Sequence, residues 1–212
     1  HPNIQEGDFS KGFSIPRDTA FYSKIPEGEE TACQFRSTQN VTLWPIEIVS
    51  AKLAGTPPDI PALDRYLPAN LHVTASLRIR LHVTGELNFC DLKGLDKIPL
   101  YLKGDEKIAS HLFELLHAGA VASVIGVPET MGEKPHVVTK NALSHEGLDP
   151  SQSVLPLAWN TWHGHNLLHE YFASPSRFYF FALNGLSDGL SKIQGKDAEI
   201  VILLSQTSAA LS

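Results

Sequence analysis

The chain has 212 residues, 42% of them apolar and 19% charged, the proportions of a globular protein with a buried core rather than a disordered or fibrous one. Seventeen basic against 23 acidic side chains give a formal net charge of −6 and a pI near 5.9, which argues against nucleic acid or an anionic membrane as the main partner. Two cysteines, Cys33 and Cys90, are too few for a disulfide framework and fit a reducing, cytoplasmic compartment. No run approaches the roughly 18–20 apolar residues that span a bilayer, and no basic-then-apolar leader opens the chain. The expectation is a soluble protein without direct membrane insertion. The opening His1-Pro2-Asn3-Ile4 lacks an initiator methionine, so the molecule is expected to begin upstream.

Short β-type runs come first, at 13–15, 20–22, 26–28, 33–36 and 41–44, separated by turn residues and predicting hairpins. Pro45 has no N–H to give a ladder and marks a strand edge or bulge before extended structure resumes over 46–53. Thr56-Pro57-Pro58-Asp59-Ile60-Pro61 is a connector. Over 71–84, Leu71, Val73, Ala75, Leu77, Ile79, Leu81 and Val83 alternate with polar residues, the pattern of a long half-buried antiparallel strand. Burying its six large side chains stabilises by at most about 9–18 kcal/mol. A slip of one residue would expose all of them, so the register is fixed.

A strand over 98–102 leads to Gly104 and to Asp105, an N-cap for a helix with Ile108, Leu112, Leu115 and Leu116 on its apolar face. Strands follow at 121–127 and 136–139, the latter ahead of a long loop over 141–156. A helix is predicted over 163–172, stopped by Pro175, then an aromatic strand over 177–183. Residues 185–195 read as a hairpin loop, Cys90 as a strand end, and 199–205 as the last strand. The fold class is α+β, predominantly antiparallel β-sheets in a sandwich-like arrangement, with two or three helices packed on them. Residues 1–104 form a β-rich lobe and 105–212 an α+β lobe, unless the whole is one domain.

Ten histidines invite a metal hypothesis, because His165 and His169 stand four apart on a helix. The ligand set is incomplete: Glu170 follows the second histidine rather than the first, no third ligand is supplied, and His163 sits at the helix start. There is no Gly-x-Ser-x-Gly elbow and no Cys/His signature. The acids Glu29, Glu30, Asp105, Glu106 and Glu129 read as solvated loop charges rather than a poised acid and base. No catalytic, cofactor-binding or metal-binding residue is expected, and no cofactor.

Two surfaces suit protein contact. Arg78 and Arg80, flanked by His72 and His82, form a basic stripe that is either a solvated sheet face or a dock for an acidic partner. Aromatics cluster at Trp159 with Trp162 and from Phe172 to Phe181, where Phe178-Tyr179-Phe180-Phe181 on one strand would need cover on both faces. Arg78, Arg80, Trp159 and Trp162 are therefore the candidate interaction residues.

Three blocks resemble the TssF (VasA, ImpG) family, a baseplate subunit of the bacterial type VI secretion system. Gly12-Phe13-Ser14-Ile15-Pro16-Arg17-Asp18-Thr19, then Cys33-Gln34-Phe35-Arg36-Ser37 and Val41-Thr42-Leu43-Trp44-Pro45-Ile46, is similar to its Ile-Pro-Arg-Gly-Thr, Cys-x-Phe-Arg-Thr and Val-x-Leu-Trp-Pro-Leu region, with Asp18 in place of the usual Gly. Tyr101-Leu102-Lys103-Gly104-Asp105 and the helix after it resemble a strand-Gly-Asp-helix unit. The third and most specific block is Gly164-His165-Asn166-Leu167-Leu168-His169-Glu170-Tyr171-Phe172-Ala173-Ser174-Pro175 with Phe178 to Leu183, where His165 and His169 replace the usual Tyr and Gln.

The resemblance covers nearly the whole chain but only part of the several-hundred-residue family protein. It implies a non-enzymatic wedge component in a cytoplasmic baseplate docked at the inner-membrane complex, assembling with TssG, TssK and TssE around a VgrG-type spike. A baseplate protein of another contractile injection system or phage tail is the nearest alternative. A histidine-dependent metal hydrolase and a ligand-binding β-sandwich are the alternatives from other classes.

Overall fold

The computed structural model describes residues 7–211 apart from 26, 29, 62, 69, 70, 132, 157, 158 and 161. His1-Pro2-Asn3-Ile4, Pro26 of one expected run and Glu29 of one acid pair therefore lie outside the described residues. Two small antiparallel ladders come first: β1 (Phe13–Ile15) pairs with β4 (Val41–Leu43), and β2 (Ala20–Tyr22) with β3 (Gln34–Arg36). Glu27 and Gly28 form a turn. Gly12 enters β1 at φ +70°, where a Cβ would stand 2.6 Å from the Thr42 methyl, so glycine is required there.

Pro45 separates β4 from β5 (Ile46–Gly55), and its carbonyl accepts the Thr84 amide at 2.8 Å. β5 is an edge strand of a five-stranded antiparallel sheet ordered β5, β6 (Ala75–Val83), β12 (Asp197–Leu204), β8 (Ala120–Gly126), β9 (His136–Val138). Its ladder with β6 is interrupted by an irregularity between Ile48 and Ser50. The long alternating strand is present but begins at Ala75, not residue 71. Leu71 to Thr74 stay outside the ladder, with the Thr74 amide donating to the Leu204 carbonyl.

Alternation along β6 sends Ala75, Leu77, Ile79, Leu81 and Val83 to one face, where they meet Ile200, Ile202 and Leu204 of β12. That face is covered by α1 (Glu106–Gly119), by the short α3 (Ser187–Leu190) and by a three-stranded sheet ordered β10 (Leu143–His145), β11 (Phe180–Leu183), β7 (Ile98–Tyr101). On the other face Val201, Leu203, Ala122 and Val124 pack beneath Ile60 and Leu67 of the connector that follows β5. Every residue of β12 after Asp197 is buried. The ladders β6–β12 and β7–β11 join residues from either side of position 104.

Asp105 caps α1 as expected, its Oδ1 accepting the amides of Lys107 and Ile108. The buried stripe is rotated from the expected one. Ala109, Leu115, Leu116 and Gly119 face in, while Ile108 is 55% exposed.

Five further expectations are corrected. The segment 141–156 is not all loop, since β10 adds to the edge of β11 and a 3-10 turn forms at Pro150–Gln152. Arg177 and Phe178 belong to a 3-10 turn, Pro175–Phe178, so β11 is four residues long. Of the expected aromatic run only Phe180 and Phe181 lie on the strand: Phe181 enters the core, and Phe180 lies half-buried 4.7 Å from the Tyr101 ring. Residues 185–195 are no hairpin loop, because β11 and β12 lie in different sheets and α3 forms between them; Cys90 lies in a 3-10 turn, Phe89–Asp91.

Candidate interaction surface

The segment 146–156 has few ladder partners, so side chains must satisfy its backbone amides and carbonyls. Glu170, on α2 (His163–Ala173), does much of this from below the helix. It is 4% exposed, and its Oε1 accepts the Ser153 hydroxyl at 2.7 Å and the amides of Val154 and Leu155 at 2.9 and 3.0 Å. Its Oε2 is ion-paired with Arg177. Arg177 donates to the Gln152 carbonyl at 2.7 Å and lies over the Phe178 ring. One turn earlier Asn166 donates to the Pro156 carbonyl.

The buried positions of α2 are thus polar, Asn166 and Glu170, while Leu168, Tyr171 and Phe172 face outward at 56%, 53% and 81% exposure. This inverts the usual amphipathic helix. Trp162 at the N-cap is 70% exposed and Trp159 is 96% exposed. Scaling 150–250 Å² per ring by these exposures, the four aromatics together expose roughly 450–750 Å².

Arg78 and Arg80 are placed differently. Both reach across the β6–β12 ladder to Glu199, which is 1% exposed: Arg78 Nη1 lies 2.9 Å from Oε2 and Arg80 Nε 3.0 Å from Oε1. Arg78 is further paired with Asp59 of the connector, and His82 with Asp197 at 2.8 Å. The stripe therefore neutralises a buried carboxylate, with the Arg80 side chain still 51% exposed. None of these contacts involves Trp159 or Trp162, so the four candidates belong to two separate places.

Sequence reasoning passed over Glu170, Arg177 and Glu199 as site-building residues. The signals were a polar i, i+4 pair opposite the aromatic side of α2, and a lone carboxylate inside the apolar run 198–204.

The described histidines do not converge on a metal. Among the described residues no group of three or more His, Cys, Asp or Glu is placed to hold one. His163 donates through Nε2 to the Leu148 carbonyl. A different pair is brought together: His117 of α1 stacks on His145 of β10 with ring centroids 4.5 Å apart, and Phe113 lies against both. Burial first, and the neighbouring imidazole second, push His117 down to about 4. No helix among the described residues is long and apolar enough to cross a membrane.

The fold is of the α+β class, antiparallel sheets with helices packed on them, and it leaves the aromatic side of α2 exposed. Residues 1–212 match the family described as "Type VI secretion system, TssF", and the chain belongs to that family. It is 34% identical over 202 residues to the type VI secretion system component TssF1 of Pseudomonas aeruginosa, a match covering 95% of this chain and 32% of that protein. It thus spans about a third of its curated relative. Its fold is shared with a chain of a TssK-TssF-TssG baseplate subcomplex of the type VI secretion system solved by cryo-electron microscopy, at TM-score 0.71 and 20% identity over 94% of this chain and 34% of that one.

Proposed function

We propose that this chain is part of a structural, non-enzymatic baseplate wedge component of a type VI secretion system, acting in the cytoplasm. The observation that carries the reading is the inverted helix α2, which directs Trp162, Leu168, Tyr171 and Phe172 to solvent over a polar, ion-paired underside. A helix folded this way has its apolar side committed to another surface. TssG and TssK are the direct partners, in line with the subcomplex that contains the structural neighbour; TssE and a VgrG-type spike complete the assembly. Trp159 and Trp162 lie in the contact, and Arg80 is a secondary point of attachment, since its guanidinium is half exposed while held by Glu199.

Co-expression with the TssG and TssK of the same gene cluster tests the reading. A complex that survives size-exclusion chromatography is expected. A chain that elutes alone at micromolar concentration contradicts it.

A further inference from the structure

Between the β1–β2 turn, the end of β3 and the segment 154–156 lies an open cleft of about 440 Å³, lined by Arg17, Asp18, Arg36, Ser37, Thr38, Val154 and Pro156. Its volume falls within the range of ligand-binding clefts. The two guanidiniums in it are in different states. Arg17 is pinned: Nη1 donates to the Ser151 carbonyl and Nη2 to the Ser153 carbonyl, both at 3.1 Å. Carbonyls hold the fork in place without cancelling its charge, and donors on Arg17 are left over. The guanidinium of Arg36, on the exposed ladder β2–β3, has neither a hydrogen bond nor an ion pair with any described residue.

Asp18 is the one acid in the lining and is not ion-paired with either arginine. Two arginines and one aspartate leave the cleft a formal +1 on a chain of net charge −6. The cleft's charge is opposite to that of the chain as a whole. Val154, 44% exposed, and Pro156 add an apolar wall beside the charges, which a small inorganic anion would leave unused.

We propose that this cleft docks an extended, carboxylate-bearing segment of a partner protein, the carboxylate taken by Arg17 and Arg36 and a neighbouring apolar side chain lying on Val154 and Pro156. Guanidinium and carboxylate match as planar forks, and the apolar wall selects a polypeptide over a free anion. The inference does not depend on the baseplate reading, because none of the cleft's lining residues is on α2 and it is tested without TssG or TssK.

The test is fluorescence anisotropy of the purified protein with a labelled peptide alternating glutamate and valine, against the same peptide with glutamine for glutamate. The glutamate peptide is expected to bind at least about tenfold more tightly, and more weakly as salt is raised. Arg36→Glu is expected to lose about tenfold or more in affinity, with Arg36→Gln as the milder variant if the reversal disturbs folding. Lys52→Glu, on the edge strand β5, is expected to bind normally. Equal affinity for the two peptides overturns the proposal, as does undiminished binding by both Arg36 variants. Displacement by inorganic phosphate as effectively as by unlabelled peptide would identify a free-anion site and overturn it as well.

Discussion

Glu170 and Arg177, seven residues apart across the Pro175 stop, form an ion pair on the underside of α2 while Tyr171 and Phe172 stand out in solvent. The pair ties the helix to the 3-10 turn that follows it, and the three donors on the other carboxylate oxygen tie it to Ser153, Val154 and Leu155. Polar anchoring below is what leaves the apolar side free above.

Glu170→Ala removes the acceptor of three donors and strands Arg177 in a site where burial already lowers its pKa. A loss of about 3–5 kcal/mol is expected, the usual cost of breaking one side of a buried pair, read from urea unfolding. A loss below about 1 kcal/mol would show that the clamp does not order the segment.

Glu199→Ala should cost about 3–5 kcal/mol, because it takes the buried carboxylate from both Arg78 and Arg80 and leaves Arg78 only Asp59 of the connector. Arg80→Ala should cost about 1 kcal/mol or less, its side chain being half exposed. Reversal of that order in chemical denaturation would contradict the assignment of Glu199 as the centre of the network.

Stability should depend on His117. Its folded pKa, about 4, lies below the unfolded value of 6.5, so the unfolded chain takes up the proton first as pH falls. The contribution is complete above pH 6.5, is lost as pH drops towards 4, and is constant below that. With the imidazole only partly buried, a loss on the order of 1 kcal/mol is expected after allowing for solvent screening. Tyr179 and His145 flank the same Phe113 ring, so the comparison of unfolding from pH 7 to pH 4 is with His117→Phe. That variant should show a shallower slope; equal slopes would exclude His117 as the source.

Gly12→Ala should loosen the β1–β4 ladder. A Cβ at φ +70° meets the Thr42 methyl at 2.6 Å, and a strained backbone of this kind costs about 1–3 kcal/mol. Amide exchange should quicken at Phe13–Ile15 and Val41–Leu43 and stay unchanged in β6. Unchanged exchange in β1 and β4 would contradict it.

The sequence was most readable where one local rule acts alone. The alternation of Leu77, Ile79 and Leu81, the cap at Asp105 and the stop at Pro175 all specify their elements without help from distant residues. It was least readable where the partner is far along the chain. β10 has only three residues and is a strand because Leu143, Ser144 and His145 find Leu183, Ala182 and Phe181. The stripe of Arg78 and Arg80 looked solvated because Glu199 lies about 120 positions away. In α2 the aromatic pattern was legible, but its direction was not: periodicity marks a face and does not say whether that face points into the same chain or out of it.

That direction is tested most directly by the double variant Trp162→Ala/Phe172→Glu, co-expressed with TssG and TssK. The outward-face account predicts an unfolding midpoint close to that of the unaltered chain, since both side chains are at least 70% exposed, together with loss of the complex on size-exclusion chromatography. A complex recovered in full yield with the variant would contradict it.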